Sequence, residues 1–430
     1  MNIDCLLATP IDSTIKGMPM MNRPLTLGEI GKQGWSVLRE DMRLPVAVLK
    51  NAAIEHNRRW MRAFLQTEGV ALAPHGKTTM SPQLFAKQLA DGAWGLTCAT
   101  VAQLQVYRVF GVQRVLFANQ LVDRGAIRYV LDEMEQDPEF EFYCFVDSLE
   151  GVSLLKQATA NRAANRPLRL LIEVGQSGGR TGARTPAQAI AIAEAVASSP
   201  TLALCGVASY EGVFTDADDQ AIEAQINVLF DLHVAVARSL CGLFSRGFPT
   251  ILTSGGSRFP DIAAKRLSVA ELGLPYKVVI RSGCYLTHDS VRYAHASARM
   301  LERTPELAAT AGTLLPALEL WASVQSRPER TLAFANFGKR DTGIDLGLPL
   351  PIYWYRPGFH ATPAAIPNGH RVTKLNDQHA YLELPPTSPL RVGDMIALGI
   401  SHPCTTFDKW QILPIVNDTY DVIDGVRTFF

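Results

Sequence analysis

The strongest constraint on the fold of this chain is an alternation that runs from about residue 52 to residue 300. Short apolar or β-branched runs fall at 70–74, 94–97, 114–118, 141–146, 168–174, 203–208, 250–254 and 278–281. Between them lie helix-compatible stretches such as 52–67 and 219–240, with apolar residues three and four apart, the period of a helix with one buried face. Strands that alternate with helices build a parallel sheet, and eight of them predict an α/β fold, a closed (β/α)8 barrel of the TIM type.

After about residue 310 the character changes. Pro and Gly become frequent, and strand-like runs at 318–325, 331–335, 379–384, 394–399 and 421–429 are separated by turn residues. This pattern predicts a second, mostly β domain. The expected organisation is an N-terminal segment over 1–44 packing with the β domain, a barrel over 45–300, and a β domain over 301–430.

Composition narrows the function classes. Lys plus Arg and Asp plus Glu both number 41, so a net charge of zero speaks against nucleic acid or an anionic membrane as partner. No run approaches 18 uninterrupted apolar residues, so no membrane span is expected. The seven cysteines are odd in number and free of any CxxC, the usage of a reducing compartment, and cytoplasm is the expected location.

Barrel enzymes carry their chemistry at the C-terminal ends of the strands. Lys77 stands just past the first predicted strand, in Pro74-His75-Gly76-Lys77-Thr78. A lysine there can form an imine with a carbonyl cofactor. Thr253-Ser254-Gly255-Gly256-Ser257 follows the seventh strand and Arg281-Ser282-Gly283-Cys284-Tyr285 the eighth. Small residues in those two loops let backbone N–H groups approach a phosphate, at the usual barrel phosphate position.

The segment around Lys77, followed by Gly92-Ala93-Trp94-Gly95-Leu96-Thr97-Cys98-Ala99-Thr100 and Val115-Leu116-Phe117-Ala118-Asn119-Gln120, resembles the fold-type III pyridoxal-phosphate enzymes. Within them it is most similar to the D-threonine aldolase and D-serine dehydratase branch. The resemblance runs from about residue 45 to the C-terminus. It implies that Lys77 carries pyridoxal 5'-phosphate and that Gly255, Gly256, Gly283 and Cys284, beside Ser254, contact its phosphate. It places Arg180, in a Gly-rich loop, near the cofactor's phenolic oxygen. Arg281 takes the position where alanine racemases set an arginine against the pyridine nitrogen. Tyr210 is a wall or polar contact of the same pocket, or a structural tyrosine.

Ser401-His402-Pro403-Cys404 is the second informative segment, because imidazole and thiolate are both good zinc ligands. The resemblance makes His402 and Cys404 the zinc pair of the D-serine dehydratases, where D-threonine aldolases carry His-x-Asp. His379 is a metal neighbour, a proton donor or a packing residue, and Asp341 is a further candidate near the metal. The function implied is a lyase that converts D-serine or a related β-hydroxy-D-amino acid to a keto acid and ammonia, with zinc assisting departure of hydroxide. A metal-dependent D-threonine aldolase is the alternative within the family. A racemase would need a second base that the sequence does not point to, and a non-catalytic carrier of the cofactor would need no β domain. The implied partners are a small D-amino acid and a second copy of the chain, as a homodimer.

Overall fold

The computed structural model describes residues 1–161, 166–214 and 218–430. All eight predicted barrel strands form: β1 (Ala71–Leu72), β2 (Leu96–Cys98), β3 (Arg114–Gln120), β4 (Glu141–Val146), β5 (Leu168–Glu173), β6 (Leu202–Ala208), β7 (Thr250–Ser254) and β8 (Tyr276–Ile280). They pair in parallel in the order β1-β8-β7-β6-β5-β4-β3-β2. The sheet closes where Trp94 N donates to Leu72 O (2.7 Å) and Thr97 N to Pro74 O (2.9 Å), with a parallel bridge between His75 and Thr97. The fold is the (β/α)8 barrel that the alternation predicts, of the alanine racemase-like type that the resemblance implies.

Parallel strands are covered on both faces, which is why they read as continuous apolar runs. Leu116, Tyr143, Phe145, Leu171, Ala203, Cys205, Ile251 and Val279 make one buried cluster with Ala73. Burying each large side chain contributes roughly 1.5–3 kcal/mol. The loops at the C-terminal ends of strands are ended by capped helices. Asp123 accepts from Ala126 N (2.6 Å), Ser148 from Gly151 N (3.1 Å) and Thr185 from Gln188 N (3.2 Å). Such caps satisfy N–H groups the first helical turn leaves open, and fix where each loop stops.

Two compact units divide the chain. One comprises Phe64–Lys77 with Gln88–Gly283, and the other Asn2–Ala63, Thr78–Lys87 and Cys284–Phe430. The second unit holds a mostly antiparallel sheet around the long strand Leu318–Glu329. Strand Val46–Lys50, which sequence reading counted with the barrel, instead pairs antiparallel with Leu318–Glu329 and parallel with Ile412–Val416. The N-terminal segment joins this unit through Val422 N to Trp35 O (2.8 Å) and the ion pair of Lys16 with Asp341 (2.7 Å). Among the described residues, no helix is long and apolar enough to cross a membrane.

Candidate active site

The segment after β1 is stitched on both sides. Ala73 N donates to Ile280 O (2.9 Å) and His75 N to Arg281 O (3.2 Å), while Thr97 Oγ1 donates to Ala73 O (2.6 Å). A 3-10 turn, Gly76–Thr78, then presents Lys77. His75 and Lys77 line a cavity of about 150 Å³ together with Asn119, Arg180, Tyr210, Gly255 and Arg281. The structure therefore gathers five residues singled out in the sequence and adds His75, whose role sequence reading missed.

Arg281 is buried. It donates to Thr253 Oγ1 (2.8 Å) and Ser209 O (2.7 Å), and its guanidinium lies 5.3 Å from the centre of the Phe145 ring. Burial pulls its pKa down to about 10, against the opposing pull of Glu211 and Glu173. The same burial, joined by Lys77, Arg281 and Arg180, holds His75 well below the usual histidine range, so its ring is neutral at pH 7. Behind the site, His233 Nδ1 lies 2.9 Å from Ser209 Oγ, and burial takes this histidine to about 3. Arg180 stacks over the Tyr210 ring at 4.7 Å. Its loop is pinned by Gly182 N donating to Asp147 (2.9 Å) and Arg184 donating to Thr181 O (3.0 Å).

The loop after β7 is a tight cradle. A Cβ on Gly255 would meet Tyr210 Cδ2 at 2.7 Å, and one on Gly256 would meet Glu211 Oε1 at 1.5 Å. Glu211, another residue sequence reading did not single out, accepts from Ser254 Oγ (2.5 Å) and from Gly255 N (3.2 Å). Gly255 N–H thus already faces an acidic group, and burial raises the pKa of that carboxyl. Ser282 Oγ donates to Gly256 O (2.5 Å), tying the β7 loop to the β8 loop that contains the buried Gly283.

These features fit pyridoxal phosphate. A lysine reaches a cavity with a glycine cradle and a buried arginine at its wall. His75 Nδ1 and Glu211 Oε1 are buried polar atoms without a hydrogen-bond partner in the protein. A polar ligand would satisfy such atoms.

The second unit holds the other candidate residues. His402 Nδ1 lies 2.6 Å from Asp345 Oδ2, and Thr405 donates to the other oxygen of Asp345 (2.6 Å). Cys404 opens the short helix Cys404–Phe407, and its sulfur is 3.7 Å from Cys284 Sγ. The hydroxyl of Thr78 lies 3.6 Å from each sulfur. The thiol of Cys284, a phosphate contact in the sequence reading, is thus engaged with Cys404 and Thr78. The hydrogen bond with Cys404 leads in drawing the Cys284 pKa down to about 6. Among the described residues, no group of three or more His, Cys, Asp or Glu is close enough to hold a metal ion. The donors form two pairs, His402 with Asp345 and Cys284 with Cys404. Their chemistry suits zinc, because a zinc-bound imidazole keeps its other nitrogen on a carboxylate or carbonyl.

Two candidates from the sequence stand elsewhere. Asp341 pairs with Lys16 (2.7 Å) and accepts from Gly338 N (2.8 Å), while Lys16 also caps the Trp410 ring at 3.9 Å. It is a buried structural anchor. His379 is exposed on the turn between strands Arg371–Leu375 and Ala380–Glu383.

Residues 49–242 match the alanine racemase N-terminal domain, and residues 317–416 match the putative serine dehydratase domain. A D-threonine aldolase from Arthrobacter sp is 30% identical over 132 residues, which are 31% of this chain and 34% of that enzyme. The chain thus aligns with about a third of that relative. The crystal structure of D-threonine aldolase from Filomicrobium marinum superposes with a TM-score of 0.73 at 22% identity, over 92% of this chain and 96% of that one. D-threo-3-hydroxyaspartate dehydratase from Delftia sp. HT23 gives 0.70 at 18%, over 92% and 99%. A cysteine-to-alanine variant of D-threo-3-hydroxyaspartate dehydratase is known in a metal-free form. At these identities the likeness of the structures is one of fold. Barrel, β domain and matched domains together define the alanine racemase-like class. In fold and in its two matched domains the chain is similar to the fold-type III pyridoxal-phosphate enzymes.

Proposed function

We propose that this protein is a pyridoxal-phosphate-dependent lyase that converts D-serine, or a related β-hydroxy-D-amino acid, to a keto acid and ammonia. The observation that supports this most is the place of Lys77, in one cavity with Arg281 and the Gly255 cradle. Lys77 would hold the cofactor, and its amine would serve as the base for the Cα proton. Bound pyridoxal phosphate would supply the electron sink for the charge left at Cα. Gly255 and Gly256, with Ser254 and Ser282 behind them, would seat the phosphate. Arg281 presents a cation and so disfavours a second positive charge on any ring atom facing it. Neutral His75 adds no competing charge beside Lys77.

His402 and Cys404 would hold zinc, a Lewis acid that lowers the barrier for loss of the β-hydroxyl. The thiolate ligand, in place of the carboxylate that resemblance gives the aldolases, favours the dehydratase reading. The Filomicrobium aldolase fold favours the second reading, cleavage of Cα–Cβ in a 3-hydroxy-D-amino acid. The products separate them. Purified enzyme given D-serine should release ammonia, and a chelator should stop it. Release of an aldehyde and glycine from D-threonine, without ammonia, would establish the aldolase instead. By analogy with the two-domain members of the fold type, the working state is a homodimer. Seven free thiols support a reducing compartment, the cytoplasm.

A further inference from the structure

Glu211 stands where a phosphate-binding loop has no use for a negative charge. It opens the turn Glu211–Val213 after β6, is fully buried, and lies against the glycine loop. Its two carboxyl oxygens are used unequally. Oε2 accepts from Ser254 Oγ (2.5 Å) and from Gly255 N (3.2 Å). Oε1 has no hydrogen-bond partner among the described residues, and it faces Gly256 so closely that a Cβ there would sit 1.5 Å away. A carboxylate accepts at both oxygens, whereas a carboxylic acid accepts at one and donates from the other. The division seen here suits the acid, with its proton on Oε1. Gly255 N–H is engaged by Oε2, so the donor this part of the loop can offer a ligand is the acid itself.

We infer that Glu211 is a further phosphate contact of the cofactor, a neutral carboxylic acid donating from Oε1 where an ionised carboxylate would repel the phosphate. This rests on the proposal that the protein binds pyridoxal phosphate with its phosphate in the glycine loop. Burial raises the pKa of the carboxyl, against the hydrogen bond from Ser254 and the charge of Arg281, and so favours keeping the proton. The groups around it hold one state over the useful range. Arg281, at about 10, stays cationic, and His233, at about 3 and bonded to Ser209, stays neutral. Arg258 of the same loop donates to Phe214 O (3.4 Å), and arginine does not deprotonate in proteins. Tyr210 packs against Gly255, Glu173 lies near enough to Arg281 to raise its pKa, and Lys77 and Arg180 line the same cavity. A phosphate monoester itself changes charge near a pH of about 6, equally for every variant.

The test compares binding of pyridoxal phosphate by the full-length wild type, Glu211→Gln and Glu211→Ala from about pH 6 to about pH 9. Pyridoxal, which lacks the phosphate, is the paired probe. Glutamine keeps a donor and has no charge. Wild-type affinity relative to Glu211→Gln should fall with pH, by about tenfold per unit once pH exceeds the pKa of the carboxyl. Glu211→Ala, with no donor, should bind about tenfold more weakly than Glu211→Gln at every pH. With pyridoxal these differences should vanish. Calorimetry in buffers of different ionisation enthalpy should show the wild type taking up about one more proton per cofactor than Glu211→Gln at alkaline pH. That proton comes from the buffer and stays on the carboxyl. A ratio of wild type to Glu211→Gln that is constant with pH, equal proton uptake, or the same response to pyridoxal overturns the assignment and leaves the cofactor reading standing. A wild type that forms no imine with pyridoxal phosphate overturns the cofactor reading itself.

Discussion

His402 Nδ1 lies 2.6 Å from Asp345 Oδ2, and Thr405 holds the other oxygen of the same carboxylate at 2.6 Å. Burial alone would raise the Asp345 pKa, but the hydrogen bonds from Thr405 and His402 outweigh it and hold the group ionised. A carboxylate in this position fixes the tautomer of the ring and leaves Nε2 as the nitrogen that the proposed metal would take. Asp345→Asn is expected to weaken zinc binding by about 10–100-fold while the fold stays intact. Chelator competition and circular dichroism check the two halves. Unchanged affinity would show that Asp345 merely anchors a surface histidine.

The glycine loop proposed to seat the phosphate has no room for an added side chain at Gly255 or Gly256. A Cβ on Gly256 would sit 1.5 Å from Glu211 Oε1, so Gly256→Ala must push Glu211 or its own loop aside. Overpacking of this kind costs about 1–3 kcal/mol. Affinity for pyridoxal phosphate should fall about tenfold or more, measured by equilibrium dialysis. Gly242→Ala, at an open position, serves as the control.

Glu211 makes the cradle pH-sensitive. Burial raises its pKa, so the folded protein keeps a proton that the unfolded chain releases above about 4.5. Stability from this group is therefore full at low pH and declines as pH rises toward the raised value. Glu211→Gln removes the decline. Its melting temperature relative to wild type should climb with pH, by roughly 2–4 °C per kcal/mol. A constant difference from pH 4.5 to pH 9 would contradict the assignment.

The buried histidines act in the opposite sense. His233 is held to about 3 by burial and by Arg281, and His75 is also lowered. Below about 6.5 the unfolded chain takes up protons that the folded site refuses, so stability falls as pH drops. Each such histidine contributes a slope of about 1.4 kcal/mol per pH unit. His233→Gln should show a shallower loss between pH 6.5 and 4.5 in chemical denaturation. Equal slopes would mean that His233 is solvated when folded.

The barrel was legible because its strands are buried on both faces and read as apolar runs, from Val115 to Val279. The β domain was legible only in part. Strands Leu350–Tyr355 and Ile412–Val416 contain Pro351 and Pro414, residues that ordinarily argue against a strand, and Arg371–Leu375 buries only Val372 and Leu375. Val46–Lys50 is apolar enough to read as a strand, but nothing local assigns it to a sheet whose partner begins at Leu318. In the site, Lys77 and the glycines carried a local signal. His75 had only its place beside Lys77 at the end of β1, and the turn Gly76–Thr78 that sets their geometry is visible only in the fold. Glu211 had none, and nothing local tied Cys284, read as a phosphate contact, to Cys404, because their partners Gly255 and Cys404 come from distant loops that only the fold brings near.

The most direct measurement is where the cofactor attaches. The protein is saturated with pyridoxal phosphate, reduced with borohydride, digested and mapped by mass spectrometry, in parallel with Lys77→Ala. The expected result is one modified peptide, containing Lys77, absent from the variant, with ammonia release lowered about 10²–10⁴-fold in that variant. Modification of another lysine, or none in the wild type, would contradict the assignment of Lys77 and of the reaction built around it.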